Sequence, residues 1–222
     1  MPLVVAIDGP AGAGKSTVAR RVADALSLTL VDTGAIYRAV ALLALRNGVA
    51  IDDGDALGEI ARELDIQFQM DGDINRVRVF DEDVTAMIRT PDVAMAASSV
   101  SRHPQVRSAL LALQRSYAER TGAVLEGRDI GTVVLPNAQV KVFLDASPEE
   151  RARRRYEELQ SLGDQSCTFE DVLVEVEQRD EQDRNRSVAP LKPASDARVL
   201  DSTSMSVDEV VASIVAAVGE LT

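Results

Sequence analysis

Residues 3–17 read LVVAIDGPAGAGKST: a short apolar run gives way to glycines and ends on Gly14-Lys15-Ser16. The stretch predicts a strand, a phosphate-wrapping loop and the first turn of a helix. Gly9 and Gly14 bracket four residues, Pro10, Ala11, Gly12 and Ala13, and are followed by Lys15, Ser16 and Thr17. This is the G-x-x-x-x-G-K-[ST] spacing of the mononucleotide-binding P-loop. Glycines let the backbone turn its N–H groups around a polyphosphate, and a Cβ there would obstruct the approach. Lys15 supplies a charge for the β- and γ-phosphates and Ser16 a hydroxyl for Mg²⁺, while the new helix points its positive end at the anion. A glycine turn that merely links strand to helix is the plainer alternative, but the flanking apolar run and helical pattern favour the motif.

The rest of the chain continues this α/β alternation. Residues 18–26 carry apolar side chains at helical spacing, and residues 28–31 suit a second buried strand. Asp32-Thr33-Gly34-Ala35-Ile36-Tyr37-Arg38 then runs into a helix ending at Arg46, with Gly48 as the stop signal. In a parallel sheet, ligands lie beyond the carboxyl ends of the strands, which draws attention to Thr33 and Arg38. After a helix over 55–64 the period changes. Residues 66–69 and 76–79 alternate around a turn at 70–75, an antiparallel hairpin foreign to a doubly wound sheet, so 66–84 reads as part of an inserted subdomain. Helices over 91–101 and 104–121 each open on proline. Residues 123–125 and 140–144 read as core strands, 198–201 as the last strand, and Ser206 as the cap of a final helix reaching 218. Five parallel strands with crossover helices, opening on a P-loop, predict a doubly wound α/β P-loop NTPase fold.

Residues 147–186 are heavily charged. A first helix holds Arg151, Arg153, Arg154 and Arg155; residues 162–168 break it, and a second helix begins near Phe169. The second has an inward stripe of Phe169, Val172, Leu173 and Val176, which by threes and fours brings Arg179, Asp183 and Arg186 onto the same face. Buried charges persist when they are paired or met by a ligand, so this stripe is expected to enter a polar site, with a purely structural ion-pair network as the alternative.

Composition narrows the functional classes. With 222 residues and 45% apolar content the chain suits one domain, and its net charge of −12 argues against a general nucleic-acid binder. Cys167 stands alone, so no disulfide framework is expected within the chain, which fits a reducing, cytoplasmic setting. Residues 1–7 lack a basic start and the longest apolar stretch, 39–45, is too short to span a bilayer; neither secretion nor membrane insertion is expected. His103, the single histidine, reads as a helix-start residue before Pro104 rather than a catalytic base. An N-K-x-D stretch and a D-x-x-G switch are both missing, which disfavours a GTPase, and a motor would need more chain. What remains is a small kinase with a small acceptor.

GPAGAGKST, DTGAIYRA, EGRDIGTVV, KVFLDAS, RDEQDRNRSVAPL and VLDST, in this order across nearly the whole chain, resemble the bacterial cytidylate kinases. The resemblance implies one kinase domain over 1–222 in the nucleoside-monophosphate-kinase arrangement, with a monophosphate-binding subdomain at about 34–103, carrying an inserted β-segment, and a lid at about 151–168. It implies γ-phosphoryl transfer from ATP to CMP or dCMP with Mg²⁺, a step of pyrimidine nucleotide metabolism. Together with the charge and the lack of a leader, the expectation is a cytoplasmic monomer without nucleic-acid or membrane partners. The family's monophosphate site falls on Thr33, Arg38, Ser98, Arg107, Arg128, Asp129, Arg179, Asp183 and Arg186. Arg38, Arg128 and Arg186 would face the phosphate, Ser98, Arg107 and Asp129 the cytosine, and Arg179 with Asp183 the ribose. Lys15, Arg128 and Arg186 are the expected catalytic residues. ATP is expected on Gly9 to Thr17 and Arg154, the metal on Ser16, and Arg151 to Arg155 at the start of the lid. Residues 162–168 match least, and some members carry glycine at the position of Ser16. Kinases of shikimate or dephospho-coenzyme A are the competing enzyme reading, without a use for a ribose-binding Asp183 or a base-reading Ser98. A nucleotide-sensing protein without turnover is the non-enzymatic one.

Overall fold

The computed structural model describes residues 2–72, 74–161, 163, 167–186 and 188–221. Its larger sheet has five strands: β1 (Val4–Asp8), β2 (Thr29–Asp32), β6 (Ala123–Gly127), β7 (Val140–Asp145) and β8 (Arg198–Asp201), in the order β2-β6-β1-β7-β8. A smaller antiparallel sheet holds β3 (Ile66–Asp71), β4 (Ile74–Val79) and β5 (Glu82–Asp83). The chain divides into two compact units, residues 1–29 with 121–222, and residues 30–120.

In the first unit β1 is buried at every position, which is why its sequence shows a continuous apolar run rather than alternation. It pairs in parallel with β6, Val5 opposite Val124 and Asp8 opposite Gly127, and on its other side with β7, Val5 opposite Val140. Helix α1 (Lys15–Leu26) follows the glycine loop and stops at Ser27 in left-handed conformation, whose N–H reaches back to the carbonyls of Ala23 and Asp24. After β7, helix α6 (Pro148–Ser161) packs on α7 (Phe169–Arg184) through Ala152, Val172 and Val176, with Tyr156, Leu159, Phe169 and Leu173 around them. Thr168 closes a reciprocal capping box with Asp171 at the head of α7, and Ser206 closes another with Glu209 at the head of α8 (Val207–Gly219). Of the break predicted at 162–168, residues 162 and 164–166 lie outside the described residues.

The second unit is built on α2 (Thr33–Arg46), whose N-cap Asp32 accepts the N–H of Ala35 at 2.9 Å. Helix α3 (Gly54–Arg62) and α4 (Pro91–Val100) both pack on α2, and α5 (Pro104–Thr121) completes the helices of this unit. His103 sits immediately before α5, its Nε2 bonded to the Ile51 carbonyl at 2.8 Å.

Two local expectations are corrected. The hairpin arms run on to Asp71 and back from Ile74, so the turn is much tighter than residues 70–75; Asp73 lies outside the described residues. Gln69 pairs with Arg76, Met70 with Asn75, and Asp71 with Ile74. Most of these end residues are exposed, so hydrogen bonding extends the strands where no buried face leaves an alternating signature. The second correction concerns α7. Its last helical residue is Arg184, with Asn185 as cap, so Arg186 leaves the helix instead of continuing its face.

Candidate functional site

The glycine loop is shaped by close approaches. Gly9 has φ +151°, and a Cβ on it would lie 2.0 Å from the Leu144 carbonyl oxygen. Gly12, at φ +75°, packs on the backbone of Arg151, where a Cβ would come within 2.9 Å of its carbonyl oxygen. Gly14, also left-handed, forms the N-cap of α1 without a side-chain acceptor, so the first N–H groups of the helix turn toward the loop. Lys15 is buried and donates from Nζ to the Pro10 carbonyl at 2.6 Å. Ser16 and Thr17 are exposed at the helix start.

The electrostatics around Lys15 are those of a site short of negative charge. Burial, then the guanidinium of Arg128 and more weakly that of Arg179, push its ammonium pKa down to about 7, while Glu126 and Asp8 oppose the change. Asp8, at the end of β1, accepts the backbone N–H groups of Ile130 and Gly131, each at 2.7 Å. Its carboxyl is pushed up to about 6, mainly by burial, against those two hydrogen bonds. Asp8 thereby clamps the wide helical turn Ile130–Val134 that follows Arg128 and Asp129.

Arg128 and Asp129 leave the carboxyl end of β6. Arg128 donates from Nε to Asp183 Oδ2 at 2.9 Å, and Asp183, only 1% exposed, also holds the Arg186 guanidinium. One buried carboxylate thus orients two arginines from different segments. Asp129 is buried, and Arg179 is partly exposed on α7. Of the stripe read from the sequence, Asp183 meets Arg128 and, from the chain just beyond the helix, Arg186, while Arg179 acts on Lys15 through its charge.

The arginines of α6 divide by role. Arg154 donates to the Ala13 carbonyl at 3.3 Å and to Ser202 Oγ at 3.1 Å, and pairs with Glu150. Arg153 and Arg155 pair with Glu150, Glu157 and Glu158 of their own helix. Arg151, the first of these arginines, is interior and bonded to both carboxylate oxygens of Asp180. Asp180, Asp8 and Glu126 are buried charges that the sequence reading missed. Asp180 sits four residues after Val176, so the apolar stripe followed by fours would have reached it.

Within the second unit, Thr33 is buried at the start of α2, and Arg38 donates to Asp32 Oδ2 at 2.7 Å. Arg38 Nε is buried with no hydrogen-bond partner, and Gly34 leaves the space beside its guanidinium, where a Cβ would lie 3.0 Å from Nη1. Arg107 is buried against the Ser101 carbonyl at 3.2 Å and lies over the Tyr37 ring, 5.6 Å from its centroid. Ser98 is partly exposed on α4.

Among the described residues no group of three or more His, Cys, Asp or Glu could hold a metal ion. The exposed Ser16 hydroxyl at the head of α1 is an oxygen donor of the kind that fits Mg²⁺. No helix among the described residues is long and apolar enough to cross a membrane.

Residues 5–220 match the family model described as cytidylate kinase. The cytidylate kinase of Pasteurella multocida is 52% identical over 95% of this chain and 92% of its own length; that of Aeromonas salmonicida is 51% identical over 97% and 94%. A gluconokinase from Sinorhizobium meliloti shares the fold at 15% identity, with a TM-score of 0.51 over 99% of this chain and 93% of that one. With the family model spanning almost the whole chain and half its residues shared with these relatives, the chain belongs to the cytidylate kinase family.

Proposed function

We propose that this protein transfers the γ-phosphoryl group of ATP to CMP or dCMP, giving ADP and CDP or dCDP. The observation that carries the reading is the arginine cluster around Asp183: Arg128 and Arg186 share one buried carboxylate, and Arg128 acts electrostatically on the P-loop Lys15. The first unit thus carries a nucleotide loop and, beside it, guanidiniums able to meet a second anion, which suits phosphoryl transfer between two nucleotides.

The acceptor atom is a phosphate oxygen, largely ionised near neutral pH, so no strong general base is needed. The protein supplies position and charge. Lys15, Arg128 and Arg186 offset the repulsion between ATP and the incoming monophosphate and stabilise the charge shared in the transition state. Mg²⁺ bound with ATP, near Ser16, neutralises phosphate charge. ATP is held by Gly9 to Thr17 with Arg154, whose side chain already lies on the Ala13 carbonyl. Arg179 and Asp183 take the ribose, and Asp129 accepts a hydrogen bond from the cytosine amino group, with Ser98 and Arg107 at the base. Thr33 and Arg38 belong to the phosphate end; the buried, unpartnered Nε of Arg38 supports an anion there. In this reading residues 34–103 form the monophosphate-binding subdomain and 151–168 the lid, which together keep water from the γ-phosphate. The enzyme works as a cytoplasmic monomer in pyrimidine nucleotide metabolism.

The test is ADP formation from Mg-ATP with CMP, dCMP, UMP, AMP and no acceptor in parallel. Turnover confined to CMP and dCMP is expected. Equal rates with UMP would remove the base-reading role of Asp129, and no acceptor-dependent turnover would overturn the proposal.

A further inference from the structure

Arg151 is 1% exposed, and all three of its guanidinium nitrogens are hydrogen-bonded. Nε donates to the Ala146 carbonyl beyond β7 at 2.9 Å. One terminal nitrogen reaches the P-loop carbonyl of Ala11 and Asp180 Oδ1, both at 3.0 Å, and the other reaches Asp180 Oδ2 at 2.5 Å. Asp180 is itself 2% exposed and lies on α7 between Arg179 and Asp183. Gly12 packs directly on the Arg151 backbone. A single side chain thus joins the P-loop, the end of a core strand and the helix that carries two of the acceptor-site residues.

Stability alone is a weak reason for this pair. Two charges lose hydration on burial, and apolar residues of similar volume often hold a fold as well or better. The α6–α7 contact already has an apolar cluster in Ala152, Val172 and Val176. What a bidentate fork adds is orientation: its planar geometry sets the rotation of α7 about its axis, which apolar packing specifies less sharply. We propose that Arg151 and Asp180 are positioning residues that hold Arg179 and Asp183 in register with the P-loop, so that nucleotide on the loop and acceptor on α7 are coupled. The assignment of Arg179 and Asp183 to the acceptor rests on the function proposed above.

The test is the double variant Arg151→Met/Asp180→Leu beside Arg151→Lys, which keeps the charge but loses the fork. Both are followed by thermal melting, by steady-state kinetics with CMP, and by hydrogen exchange of α7 amides with and without a non-hydrolysable ATP analogue. The double variant is expected to melt close to the parent while kcat/KM for CMP falls about tenfold or more, the scale of a small misplacement of aligned groups. Arg151→Lys is expected to lose activity without a matching loss of melting temperature. The ATP analogue should slow exchange in α7 of the parent but not of the double variant. A double variant with the parent's kcat/KM and the parent's exchange response would overturn the proposal. Should the double variant fail to fold, Arg151→Lys decides alone: full activity at parental stability overturns it. Exchange is read without an acceptor, so a parent that does not turn over CMP would sink the proposed function while leaving the link between loop and helix measurable.

Discussion

Arg128 and Asp183 meet at 2.9 Å across the first unit, one from the end of β6 and the other from the last turn of α7, and the carboxylate is almost wholly buried. Arg186 shares the same carboxylate. Asp183 therefore keeps two guanidiniums from different segments close together.

Asp183→Ala leaves those guanidiniums beside each other with their shared carboxylate gone. Unfolding in urea is expected to show a loss of roughly 3 kcal/mol, typical of breaking a buried pair by removing one partner. KM for CMP should rise by about two orders of magnitude, the scale expected for lost orienting groups. Asp183→Asn, which retains the shape but not the charge, should fall between. A variant with unaltered KM would show that the carboxylate has no part in the acceptor site.

Lys15 predicts a proton coupled to nucleotide binding. Its ammonium pKa, lowered to about 7 by burial and by Arg128, leaves a large neutral fraction at pH 8. Polyphosphate favours the charged form and raises the pKa again, so ATP binding at pH 8 should take up protons from buffer. Calorimetric titrations in buffers of different ionisation enthalpy read this directly; uptake should fade below pH 6, where the lysine is already charged. Lys15→Ala should abolish the uptake and most of kcat while CMP binding survives.

Asp8 makes a prediction about stability. Its folded pKa, about 6, lies above the ordinary value of 3.8, so the folded state binds the proton more tightly than the unfolded chain. Its contribution is fully present below pH 4 and is withdrawn as pH rises to 6, a change of about 3 kcal/mol for a displacement of this size. Asp8→Asn removes the dependence. Its stability relative to the parent should improve progressively from pH 4 to pH 7 in urea unfolding, and a constant difference over that range would contradict the assignment.

Gly9 and Gly34 should respond differently to alanine. At Gly9 the new methyl would meet a strand carbonyl and the backbone is left-handed, so Gly9→Ala should cost several kcal/mol and nucleotide binding. At Gly34 the obstacles are side-chain ends, Arg38 Nη1 at 3.0 Å and Asp32 Oδ1 at 3.1 Å. Gly34→Ala should melt near the parent while KM for CMP rises. Melting curves and KM values for the two variants, measured together, check the contrast.

Asp129→Asn tests base choice. An amide that can donate as well as accept no longer penalises uracil, so the ratio of kcat/KM for CMP over UMP should fall by about tenfold or more. An unchanged ratio would remove Asp129 from recognition of the base.

What depends on neighbours along the chain could be read before folding was considered. The apolar run, the glycines and Gly14-Lys15-Ser16 specify strand, loop and helix because their constraints are local: backbone freedom, capping and period. The same holds for Ser206 and Glu209, which cap α8, and for the prolines that open α4 and α5. The stripe from Val172 to Asp183 was legible because buried positions on a helix recur every three or four residues, even where the residue is charged. Which charges meet is set by packing between segments distant in the chain. Arg151 and Asp180 are far apart in a charge-rich stretch, and their composition is that of a solvated helix; only the packing of α6 on α7 turns them inward. Asp8 ends β1, and only the turn after Arg128, more than a hundred residues on, brings it its two N–H partners. Burial makes an unpaired charge costly, so each of these partners must be found, but the requirement acts through space and leaves no spacing in the chain to read.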